Sequence, residues 1–103
     1  DPLATAERVL AEARAWRPTL MVGPPPVGDC PATDARIQAL SRDLAALCAR
    51  LGIPYLPVFE ELSADPTWRR EAAADDGSHP DAGGYCVLAG LVAAWPAWRD
   101  AIR

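Results

Sequence analysis

The stretch Asp76-Gly77-Ser78-His79-Pro80 holds the only histidine of this 103-residue chain, and it sets a carboxylate three residues before the imidazole. On a short turn made by Gly77 and Pro80, the two side chains can lie on the same side, so that Asp76 orients His79. A serine nucleophile needs this pairing. Its hydroxyl attacks poorly until a neutral imidazole takes the proton and a carboxylate steadies the imidazolium that results. Asp75 is a competing carboxylate, one residue further from His79. The same residues also read as a helix start, with Ser78 and Asp81 spaced as a capping box and Pro80 suited to the first turn.

The block continues through Gly84, Tyr85, Leu88 and Ala89, giving D-G-x-H-P-x-x-x-G-Y-x-x-L-A. This resembles the last block of the SGNH (GDSL-type) esterases and lipases, in which D-x-x-H supplies the acid and base of a Ser-His-Asp triad. The resemblance is specific over 76–92 and diffuse over 6–59. It implies a serine ester hydrolase acting on a small-molecule ester, with Asp76 and His79 as catalytic residues and without a cofactor or metal. Other parts of the family pattern are not found. Ser41, Ser63 and Ser78 are the only serines, none in a G-D-S-L-like segment, and there is no asparagine for the oxyanion hole. The expectation is therefore that residues 1–103 are the C-terminal portion of a single SGNH domain. Its partner would be the N-terminal portion of the same enzyme, which carries the nucleophile and the oxyanion donors, and the chain alone would be inactive. The alternative is a non-catalytic α/β interaction or structural domain in which D-x-x-H serves only as a helix cap.

Composition narrows the partners. Half of the residues are hydrophobic, so the chain is not a disordered tail. A net charge of −4, with every basic residue an arginine and no basic cluster beyond Arg69-Arg70, leaves no footprint for nucleic acid or an anionic membrane. No apolar run approaches the roughly 18 residues of a membrane span. Cys30, Cys48 and Cys86 are odd in number and lack C-x-x-C spacing, which argues against a disulfide framework and a zinc site. Cys48 and Cys86 read as small core or near-core residues and Cys30 as a loop thiol. This usage fits a cytoplasmic setting, although a signal peptide would lie upstream of Asp1.

The elements that must position the site alternate. Ala6, Val9, Leu10 and Ala13 recur at helical spacing over 4–16, stopped before Pro18. Thr19-Leu20-Met21-Val22 is a short apolar run that reads as a buried parallel strand. Thr33 is placed to cap a helix over 34–51, and Gly52 stands where a left-handed cap is wanted. Residues 53–58 read as a second strand, with Pro54 and Pro57 marking it as an edge. Short helical turns follow over 60–64 and 67–73, with Trp68 as a hydrophobic plug. A last helix over 80–94 sets Tyr85, Leu88, Val92 and Trp95 on one face. Its glycines cost helix propensity, so close packing on a sheet or on the site loop is expected. Pro96 bends or ends it, and Trp98 and Ile102 extend an apolar stripe.

This order gives an α/β fold with right-handed crossovers. The resemblance implies the C-terminal part of a three-layer α/β/α domain with a flavodoxin-like parallel sheet, in which the two strands are the fourth and fifth. Ligands in such sheets bind beyond the carboxyl ends of the strands. Pro24 and Pro25, in the loop that leaves the first strand, are thus candidate substrate contacts, or else parts of a stiff connection.

Overall fold

The structure is a computed structural model and describes residues 1–28, 30–74 and 79–103. In chain order its elements are α1 (Pro2–Trp16), β1 (Met21–Val22), α2 (Pro31–Leu51), β2 (Tyr55–Leu56), α3 (Phe59–Ala64), α4 (Pro66–Ala74), α5 (Ala82–Ala94) and α6 (Pro96–Ala101). The protein is mostly helical around a two-stranded parallel sheet, with Met21 opposite Tyr55 and Val22 opposite Leu56.

Both strands are shorter than the apolar runs that predict them. The Met21 N–H donates to the Pro54 carbonyl at 3.0 Å and the Gly23 N–H to the Leu56 carbonyl at 2.8 Å, and there the ladder ends. On the other side Pro54 has no N–H to give to a carbonyl earlier in the chain than β1, while the Ile53 N–H is taken by Cys48 O, in the last turn of α2. Gly52 caps that turn at φ 70°, as its position predicts.

Alternation along the strands decides which helices they meet. Met21 and Tyr55 face α2: the Cys48 thiol lies 3.7 Å from the Met21 sulfur, and the Tyr55 and Ser41 hydroxyls are 2.8 Å apart. Leu56 points the other way, to the buried cluster of Val58, Leu62 and Trp68, against which Val87, Leu88 and Leu91 of α5 also pack. Helices therefore cover the ladder from both faces, with Leu44, Leu47, Cys48 and Ile53 buried on the α2 side. On α1 no residue is buried, and Val9 is 55% exposed.

Several helix ends differ from expectation. Thr33 does not cap α2. The helix begins at Pro31, whose missing N–H and fixed φ suit a first position, and the Thr33 hydroxyl turns back to the Cys30 sulfur at 3.1 Å. The last long helix starts at Ala82 rather than Pro80, and Pro96 both ends it and opens α6. Cys86 is exposed, not part of the core, because Val87, Leu88 and Leu91 take the inward face of α5. Trp68 is the plug its position suggests, 1% exposed.

Candidate active site

Helix α4 organises the region around His79. Asp65 caps it, its carboxylate accepting the Trp68 N–H at 2.9 Å, which satisfies one orphan amide of the first turn. On one side the Trp68 indole N–H donates to the Pro26 carbonyl at 3.4 Å, and Gly28 lies so close that a Cβ there would stand 2.8 Å from both the Ala72 Cβ and the Ala73 nitrogen. The Val27 N–H donates to the Asp34 carboxylate at 2.7 Å. The loop leaving β1 is thus strapped to α4 and to the first turn of α2.

On its other side α4 meets the start of α5. The Glu71 Oε1 accepts the Gly84 N–H at 2.6 Å and the Asp81 N–H at 3.1 Å. Asp81 is the N-cap of α5 but its own side chain makes no capping bond, so the carboxylate at this positive helix end comes from a different helix. Only glycines admit it. A Cβ on residue 83 would lie 2.5 Å from Glu71 Oε2, and one on residue 84 would lie 2.5 Å from the Pro80 Cβ. The helix-weakening Gly83-Gly84 pair is thereby explained by close approach of the Glu71 carboxylate and of the loop that carries His79. Gly90 has no such reason, since a Cβ there would meet no atom within 4 Å.

His79 is exposed and stands directly before buried Pro80, between α4 and α5. Asp76 lies outside the described residues, and with it the expected carboxylate-imidazole bond; Asp75 and Ser78 lie there too. Of the other serines, Ser41 is buried against Tyr55 and Ser63 is half-buried.

A cavity of about 530 Å³ opens beyond the carboxyl ends of the strands, where the loop after β1 and Phe59 after β2 meet; Pro26, Val27, Gly28, Asp34, Gln38, Ser63 and Arg69 also line it. Among its described lining residues neither His79 nor Pro24 nor Pro25 appears. Pro24 is half-buried and Pro25 exposed, earlier on the same loop. Helix α4 links the two places, since Gly28 of the cavity wall rests on Ala72 while the adjacent Glu71 holds α5.

Two groups beneath the sheet have raised pKa values. Burial pushes the Cys48 thiol up, and burial also raises Tyr55 against the opposing effect of its Ser41 hydrogen bond. Both stay neutral at pH 7, so neither is a ready nucleophile. Among the described residues no group of three His, Cys, Asp or Glu side chains is placed to hold a metal.

Glu71 was not legible from the sequence as part of this site. The one signal was the glycine pair, which demands a close neighbour without naming it.

The parallel ladder with helices on both faces is an α/β arrangement, with His79 between α4 and α5. The sequence pattern of the GDSL-like Lipase/Acylhydrolase family matches residues 3–87, from the first turn of α1 into α5 and across the His79 block, and the chain belongs to that family. Compared with curated proteins, it has no significant match.

Proposed function

We propose that this chain supplies the acid-base half of a serine ester hydrolase. Its family is one of lipases and acylhydrolases, and the match across the His79 block is the observation that carries the reading. In this scheme His79 takes the proton of a serine hydroxyl as the oxygen adds to the ester carbonyl. Asp76 supports the imidazolium, which then protonates the departing alcohol. Water, deprotonated by the same imidazole, hydrolyses the acyl-enzyme.

The serine and the oxyanion donors are supplied from outside these 103 residues, since none of Ser41, Ser63 and Ser78 sits in a G-D-S-L-like segment. The complete sheet is a flavodoxin-like parallel one inside three α/β/α layers, with β1 and β2 as its fourth and fifth strands. Pro24 and Pro25 border the substrate, a small ester. The open edge of β1 and the exposed Val9 and Val22 then receive the serine-bearing portion. In the alternative, a non-catalytic domain, the His79 turn is only a helix cap. Glu71 weakens that reading, because it already takes two amides at the start of α5.

The test is hydrolysis of a short-chain p-nitrophenyl ester by the enzyme with its serine in place. His79→Ala is expected to lower kcat by about 10³-fold or more with the melting temperature little changed, because an exposed turn residue contributes little packing. Wild-type turnover by that variant would sink the mechanism.

A further inference from the structure

We propose that Glu71 is a positioning residue for His79, holding the start of α5 and, through it, the His79-Pro80 backbone where the imidazole works. This rests on the reading of His79 as the general base.

The linkage is short and stiff at each step. One Glu71 oxygen accepts the N–H groups of Asp81 and Gly84, so the first turn of α5 is fixed to the second turn of α4. The carboxylate charge faces the positive end of α5, which strengthens both bonds. Gly84 in turn bears directly on Pro80: its missing side chain is what lets the proline ring reach the helix, and Pro80 is buried there although His79 beside it is exposed. Proline restricts the preceding residue to extended conformations, so fixing Pro80 limits the His79 backbone as well. Helix α4 is itself fixed by buried Trp68 and Ala72. A side chain with no part in the chemistry thus sets where the imidazole stands, and a displacement of the order of 1 Å is enough to cost catalysis about 10²-fold.

The experiment compares wild type, Glu71→Ala, Glu71→Gln, Gly52→Ala and His79→Ala in the complete enzyme, with the short-chain p-nitrophenyl ester, at a temperature where circular dichroism shows all to be folded. Gly52→Ala strains the α2 cap at φ 70° far along the chain from α5, and serves as a variant of lowered stability. Glu71→Ala is expected to lower kcat about 10- to 100-fold with KM within about 2-fold. Glu71→Gln, which keeps an acceptor oxygen, recovers most of that loss, and Gly52→Ala keeps kcat within about 2-fold of wild type. The His79 imidazole ¹H–¹³C signals, identified by their loss in His79→Ala, are expected to shift or double in Glu71→Ala and to stay in place in Gly52→Ala. Wild-type kcat in Glu71→Ala beside an inactive His79→Ala overturns the proposal, as does an equal loss in Gly52→Ala. An active His79→Ala would instead refute the general-base reading; the imidazole signal then judges the positioning alone, and an unmoved signal in Glu71→Ala overturns it.

Discussion

Trp68 meets Tyr85 edge to face, with ring centroids 6.0 Å apart and planes at 82°, and this contact joins α4 to α5. The same indole reaches the Pro26 carbonyl, so one buried side chain ties together the loop after β1 and two helices. Trp68→Ala is expected to cost about 3–5 kcal/mol, the range for deleting a large buried aromatic side chain. Trp68→Phe keeps much of the apolar area but leaves the Pro26 carbonyl without its donor, a loss of about 1–3 kcal/mol. Urea denaturation followed by circular dichroism measures both, and an unchanged midpoint in Trp68→Ala would contradict the packing described.

Two glycines of α5 should respond to alanine with opposite signs. At residue 90 a Cβ meets nothing within 4 Å, so Gly90→Ala is expected to stabilise by about 0.5–1 kcal/mol through helix propensity. At residue 84 the Cβ would overlap the Pro80 ring. There the overpacking cost of about 1–3 kcal/mol exceeds that gain. Thermal melts of the pair read the contrast, and a stabilised Gly84→Ala would mean that Pro80 does not rest on the helix.

Alkaline stability should depend on Tyr55 and Cys48. Each has a folded-state pKa above its ordinary value, 10.0 for the phenol and 9.0 for the thiol, so the fold holds their protons more tightly than the unfolded chain does. Their contribution is full below those values and is lost as pH rises through the higher folded ones. Melting temperatures between about pH 7 and 11 should fall above about pH 9, and the fall should be shallower in Tyr55→Phe and in Cys48→Ala. Parallel curves for all three proteins would remove these groups as the cause.

In the proposed reaction Asp76→Asn leaves the base in place but removes the charge beneath it. Turnover should drop by about 10²- to 10⁴-fold, because the imidazolium formed in the transition state has lost its counter-charge. A pH-rate profile of the complete enzyme checks this, and a profile superimposable on wild type would exclude Asp76 from the triad.

Residues 1–103 alone are expected to hydrolyse no ester above background, and adding the serine-bearing portion should restore activity together with a sharper melt. Esterolysis by the purified chain alone would refute the assignment of the nucleophile to residues outside it.

What the sequence by itself determined is local. Apolar spacing placed α1 and most of α2, Gly52 marked the α2 cap, and the short apolar runs over 19–22 and 53–58 marked the two strands, though not their lengths, because propensity, capping and proline act over a few residues. The D-x-x-H block was legible in the same way, as was the burial of Trp68. Tertiary structure decided the rest. Strand lengths depend on which backbone groups face the partner strand, and Pro54 offers β1 its carbonyl, which takes the Met21 N–H, but no N–H to extend the ladder. Cys86 faces out because its helix turns Val87, Leu88 and Leu91 inward. Above all, the glycine pair in α5 announced a close neighbour, but only the fold brings Glu71 there from 13 residues earlier in the chain. A side chain's need for space is written in its own segment; which group fills that space is settled by how separate helices pack.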